Sequence, residues 1–263
     1  MLRALYTAAS GMMAQQTNLD NIANNLANSS TTGFRKRRVQ FQDLVYQTMV
    51  APGSASSAQT TEAGLQVGLG VRTAATEIIQ TQGDYTQTDN QLDVDIQGNG
   101  FFQITMPSGQ IAYTRSGNFH LDSSGNVVTS DGYPISPALT IPTNATAISI
   151  GSDGTVTATI PNQTTSQTIG NIQLATFPNS GGLSNIGGNL MVATSASGDP
   201  IVGTPGSAEG LGTLQQGYLE QSNVSVVEEF VQMIVAQRSY EANSKVVTAA
   251  DEMFQQVNNL QRS

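Results

Sequence analysis

The two ends of this chain are written in a different residue code from its middle, and that contrast limits the fold more than any other feature. Every proline lies between positions 52 and 205, glycine is absent after Gly217, and Gly11 is the only glycine before Gly33. Proline and glycine interrupt helices, so long helices are open only to the termini. The apolar spacing agrees. Leu5, Met12, Leu19 and Leu26 stand seven apart, with Leu2, Ala9 and Ala23 stepping beside them. At the other end Val246, Ala250, Met253, Val257 and Leu260 step four, three, four, three. Val227, Val231 and Ile234 extend that stripe upstream, flanked by Phe230, Met233 and Tyr240. Alternating steps of three and four are the heptad period of helices packed along a seam.

Between about residues 33 and 217 the text changes to short alternating runs separated by turn signals. "QLDVDIQG", "GFFQIT", "IAYTRSGNFHLD", "AISIGSDGTVTATI" and "NIQLATFP" read as strands, and "DSSGN" and the two "SDG" triplets as turns. The expected class is therefore α+β. Discontinuous N- and C-terminal helices form a coiled coil, and a central β-rich domain is inserted between them. A hairpin of two such helices leaves its outer faces bare. The spacing thus predicts termini that are loose in the monomer and order against other copies.

Composition points the same way. Charged residues make up 11% of the chain and its net charge is -9, where a soluble domain usually carries about 25% charged residues. Identical charged faces repel when stacked, so a sparsely charged surface suits a subunit of a homopolymer; a secreted β-rich adhesin fits as well. The absence of cysteine excludes disulfides, thiolate metal sites and a thiol nucleophile. "MLRALYTAASGMMAQQ" lacks the continuous apolar run of a signal peptide, and no stretch approaches the roughly 20 apolar residues of a membrane span. Export, if it occurs, is expected to proceed without a cleaved N-terminal signal.

Little in the sequence suggests catalysis. The single histidine, His120, alternates with Phe119 and Leu121 on a strand, and no nucleophile elbow, phosphate loop or zinc-type histidine pair is present. Asp93 and Asp95 point to one strand face, Asp84 and Asp89 lie upstream of them, and a solvated face is the expectation, since no calcium loop surrounds them. No catalytic residue, metal, cofactor, nucleic acid or small-molecule substrate is expected.

Two polar features are sharper. Asn18, Asn21, Asn25 and Asn28 step three, four, three with Asn24 beside them, although asparagine is a poor helix former. They form either a neutral solvated face or a ladder of amides that bonds neighbouring chains without buried charge. Directly after them come Arg35, Lys36, Arg37 and Arg38, four consecutive cations in an acidic chain with no aromatic stacking platform. Ion pairing between subunits is the expected role, in preference to nucleic-acid binding.

These residues carry a resemblance. "ANNLANSSTTGFR" is similar to the signature A-N-N-L-A-N-x-x-T-x-G-F-K of the bacterial flagellar axial family, the rod and hook proteins. Asn24, Asn25, Leu26, Asn28, Gly33 and Phe34 stand on its marked positions, with Arg35 for the usual lysine and Thr32 where proline is common. At the other end "SNVSVVEEFVQMIVAQRSYEANSKVV" resembles the family's second signature through Glu228, Glu229, Gln237, Arg238, Tyr240, Glu241, Asn243 and Lys245. "QGNGFFQI" and "AYTRSGNFHLDSSGNVV" resemble its central domain. Residues 46–72 resemble the segment by which the distal rod differs from the hook.

The resemblance implies a structural subunit that self-assembles into a stiff helical tube, transmits torque from motor to hook, and encloses the export channel. Its implied partners are itself, proximal rod proteins, the hook protein, the peptidoglycan and outer-membrane bushing rings, and the flagellar type III export apparatus. Its implied place is the basal body, spanning the periplasm. A proximal rod or hook subunit is the alternative within the family. Expected domain limits are a helix over 1–33, a connecting segment over 34–85, the β domain over 86–202, a return connection over 203–221 and a helix over 222–263. Leu5, Met12, Leu19, Leu26, Phe230, Ile234, Tyr240, Met253, Val257 and Leu260 are the expected self-assembly seam.

Overall fold

The structure is a computed structural model that describes residues 2–50, 55–56, 59–60, 64–161, 166–207 and 210–260. One long helix lies near each end, α1 over Leu2–Ala27 and α2 over Val226–Leu260, with β structure between. The chain divides into two compact units, Met1–Ala27 with Arg37–Ile78 and Ser225–Ser263, and Asn28–Lys36 with Ile79–Val224.

In the first unit α1 and α2 run antiparallel, since Asn25 meets Glu229 while Gly11 meets Asn243. α1 stops short of the expected residue 33 because residues 29–33 are serines, threonines and a glycine at φ 69°, a conformation that no helix holds. α2 starts at Val226 behind Ser225, with Glu228 and Glu229 in its first turn, where the helix dipole favours carboxylates. The strand Arg37–Asp43 pairs antiparallel with Val71–Ile78, and Tyr46–Val50 pairs with Leu65–Gly68. Of the expected rod-specific stretch 46–72, residues 51–54, 57–58 and 61–63 lie outside the described residues.

The second unit is built on a six-stranded antiparallel sheet. Its order is Ser184–Gly187, Leu190–Val192, Ile111–Thr114, Phe101–Thr105, Leu174–Thr176, Ile201–Gly203. Phe101 and Phe102 explain why both faces are covered. Successive strand residues point to opposite faces, so Phe102 enters the main core with Ile96, Ile104 and Leu174, and Phe101 packs with Tyr113 and Phe177. Phe102 meets Phe119 edge to face at 5.1 Å, a favoured aromatic geometry. Gly117 permits a close crossing, because a Cβ there would lie 1.7 Å from the Val94 carbonyl oxygen.

The segment expected as a return connection is part of this β structure. Thr213–Gln216 pairs with Val94–Gln97, and Tyr218–Glu220 pairs with Tyr85–Gln87. Both pairs join residues more than a hundred positions apart, a separation that local pattern does not reveal.

Candidate functional site

Two features remain once the fold is described: a buried charge cluster in the second unit and a bare apolar surface on the first.

The cluster centres on Glu220. Its Oε1 lies 2.7 Å from an Arg35 terminal nitrogen, and its Oε2 accepts from Arg115 Nε at 2.6 Å. All three side chains are at most 6% exposed. Arg115 spends its remaining donors on the carbonyls of Gly100, Ile96 and Gly98, and Arg35 donates to the Thr81 carbonyl. The Gly83 amide donates to Oε1, and the Gly33 amide donates to the Glu220 carbonyl at 2.9 Å. Gly33 is required by that approach, since a Cβ there would lie 2.7 Å from the Ser116 nitrogen. Burial lowers the Arg35 guanidinium to about 10, with Glu220 acting in the opposite sense, so it stays charged at neutral pH. Asp95 stands beside this group, fully buried, and burial followed by the Glu220 charge raises it to about 6.

Two expectations are corrected here. The acids of "LDVDIQG" are not a solvated face: Asp93 and Asp95 are both buried, and Asp93 accepts from Thr88 at 2.6 Å and Asn90 at 3.0 Å. Their strand is buried because Thr213–Gln216, distant in sequence, pairs beside it. Nor do the cations reach for acid only in other copies. Arg35 is consumed by Glu220 of its own chain, and Arg38 pairs with Glu77 at 2.9 Å on the surface of the first unit. Hydrogen bonds from Arg38, then Gln40, hold the Glu77 carboxyl below the usual range. Lys36 is half-buried, its backbone amide donating to Asn223 at 2.7 Å.

Arg37 is held through its backbone. Asn25 Oδ1 accepts from the Arg37 amide at 3.0 Å, while Asn25 Nδ2 donates to the Arg37 carbonyl at 2.9 Å and to Glu229 at 3.2 Å. Asn21 Nδ2 donates to the same carbonyl at 2.7 Å. Part of the asparagine stripe therefore closes onto the chain that carries it. Asn25 and Glu229, each 2% exposed, fix the register of α1, α2 and the strand that follows residue 36.

The bare surface lies mainly on α2. Phe230, Val231, Ile234 and Val235 are 49–60% exposed, and Tyr240, Met253, Val257 and Leu260 are exposed too. The inward face of α2 instead carries Glu229, Ala236 and Ala250, with Met233, Asn243, Val247 and Phe254 half-buried. On α1, Leu5, Met12, Leu19 and Leu26 are half-buried, and Ala8, Ala14 and Ile22 are buried. Of the second signature, Gln237, Arg238, Glu241 and Lys245 lie on the exposed side, with Arg238 and Glu241 paired at 2.9 Å. Asn24 and Glu228 are exposed, and Asn28, Gly33 and Phe34 are half-buried.

Sequence reasoning passed over Glu220 and Arg115, and read Asp95 as solvated. One signal was available: between Arg38 and Arg238 the only cations are Arg72 and Arg115, so a cation inside a β-rich run invited a buried partner. His120 is exposed on the short strand His120–Leu121. Among the described residues no group of three or more histidines, aspartates and glutamates is placed to hold a metal.

Comparison with known proteins gives matches along the chain. Residues 5–35 match the family model "Flagella basal body rod protein". Residues 95–158 match "Flagellar hook protein FlgE/F/G D1 domain", and residues 215–260 match "Flagellar basal body rod FlgEFG protein C-terminal". The flagellar basal-body rod protein FlgG of Buchnera aphidicola (subspecies Schizaphis graminum) is 49% identical over 99% of this chain and 100% of its own length. That of Caulobacter vibrioides is 49% identical over 98% of this chain and 99% of its own. The crystal structure of the Helicobacter pylori flagellar hook protein FlgE2 aligns with 71% of this chain and 43% of its own at 17% identity, with a TM-score of 0.25, too low to argue from.

Proposed function

The chain belongs to the FlgG family of flagellar basal-body rod proteins and is a structural subunit of the distal rod; on that premise we propose that it builds a stiff helical tube by packing the outer face of α2 against other copies. One observation carries this reading. α2 turns Glu229, Ala236 and Ala250 inward and leaves Val227, Phe230, Val231, Ile234 and Val235 in water. Contiguous apolar surface of that kind marks an interaction site, and a homopolymer supplies the cover from identical subunits.

Torque passes from copy to copy through this helical layer, with Leu5, Met12, Leu19 and Leu26 closing the seam inside each subunit. Residues 46–72 brace neighbours against bending, and Tyr46, Met49, Val50 and Leu65, all exposed, are among the side chains available for that contact. The tube joins proximal rod proteins to the hook, runs through the peptidoglycan and outer-membrane rings across the periplasm, and its subunits leave the cytoplasm through the flagellar export apparatus without a cleaved signal.

The test is polymerisation of the purified chain, viewed by electron microscopy. Phe230→Asp combined with Ile234→Asp is expected to yield folded monomers and no tubes. Tubes of wild-type length from that variant would overturn the assignment of the α2 face.

A further inference from the structure

The charge cluster of the second unit holds one group that neither assembly nor the fold explains. Asp95 is 1% exposed in the middle of Val94–Gln97, opposite Gln215. Neither of its carboxylate oxygens has a hydrogen-bond partner among the described residues. The charged and titratable groups that face it are Glu220 from Tyr218–Glu220, Arg115 beyond Ile111–Thr114, Arg35 from residues 28–36 and Tyr85 from Tyr85–Gln87.

The two guanidiniums are already committed. Arg115 gives Nε to Glu220 and both terminal nitrogens to backbone carbonyls. Arg35 bonds Glu220 and the Thr81 carbonyl, and its Nε alone is left without a partner. An ionised Asp95 is therefore a buried charge beside a second carboxylate, and the Arg115 and Arg35 charges and the neighbouring Ile96 amide offset its burial only in part. A buried carboxylate in that position takes up a proton more readily than one in water.

We propose that Asp95 is a proton-operated lock on the β unit: protonated, it is a neutral filler beside the ion-paired Arg35–Glu220–Arg115 group, and ionised, it is a second buried carboxylate that loosens the unit. Its titration is raised from 3.8 to about 6, by burial first and Glu220 second. The folded unit thus holds this proton more tightly than the unfolded chain does. The added stability is present in full below the ordinary aspartate range, declines as pH rises, and is gone above about 6. Local acidity then sets how readily the β unit opens.

The experiment is urea unfolding of the full chain at pH 4, 5, 6 and 7, followed by near-ultraviolet circular dichroism of the tyrosines, for wild type and Asp95→Asn. A shift of about two units at tenfold each predicts a ratio of folding constants, variant over wild type, that grows up to about a hundredfold between pH 4 and pH 7. Because any packing defect of the asparagine is the same at every pH, a constant ratio overturns the proposal. If Asp95→Asn does not fold, the side-chain carboxyl carbon resonance of Asp95 in labelled wild type decides. A midpoint near 6 supports the lock, and one at or below the ordinary aspartate value of 3.8 overturns it.

Discussion

At the scale of single residues, three positions hold the chain's distant parts in register: Asn25, Arg115 and Glu220. Asn25 satisfies both backbone groups of Arg37 and one oxygen of Glu229. Asn25→Ala leaves buried polar groups without partners and is expected to destabilise the helical unit by about 1–3 kcal/mol in chemical denaturation. Asn25→Asp keeps the size but loses the donor and sets a second carboxylate against Glu229. Its loss at neutral pH is expected to exceed that of the alanine and to shrink on acidification. In the other unit, Arg115→Gln strips Glu220 of a charged partner and three carbonyls of their donor. Breaking one side of a buried pair costs about 3–5 kcal/mol, so the unfolding midpoint of the β unit should fall sharply. The asparagine stripe was visible in sequence as an oddity of residue type and spacing. Its use as a clamp on the Arg37 backbone was not, because spacing shows which side chains share a face and not what faces them.

At the scale of elements, α2 shows why an apolar stripe does not name its partner. Phe230 lies one position beyond Glu229, and one residue turns a helix by about 100°. The sequence therefore offers two adjacent faces, one large and apolar, the other small and polar. Inside the subunit the small face is used. Ala236 and Ala250 are at most 2% exposed, and Gly11 of α1 lies so close to Asn243 that a Cβ would come within 2.7 Å of its amide. Small residues let the helix axes approach, and the large ones are left to face outward. Ala236→Leu is expected to overpack this seam at about 1–3 kcal/mol, read as a lowered thermal midpoint of the monomer. Ile234→Asp, on the opposite face and 57% exposed, is expected to change monomer stability by less than about 0.5 kcal/mol while preventing assembly. The two variants separate the inner seam from the outer face. Parallel effects on stability and assembly would count against that division.

At the scale of the whole molecule, one subunit carries two kinds of stabilisation. The unit of residues 28–36 and 79–224 buries a conventional core around Phe102, while the helical unit keeps large apolar side chains in water. Shortening the stretch 46–72 is expected to leave the circular dichroism of the β unit unchanged and to give curved or fragile tubes in electron micrographs; straight, stable tubes would remove its role as a brace. By itself the sequence determined the helical termini, the β-rich middle and the family, because heptad spacing, proline and glycine placement and short signatures are local properties. The pairing of Val94–Gln97 with Thr213–Gln216, the burial of Asp95, the capture of Arg35 by Glu220 and the outward turn of the large α2 stripe were decided only in the tertiary structure. Each depends on which distant segment lies alongside, and a period of two or of three and a half fixes a residue's face without fixing that neighbour.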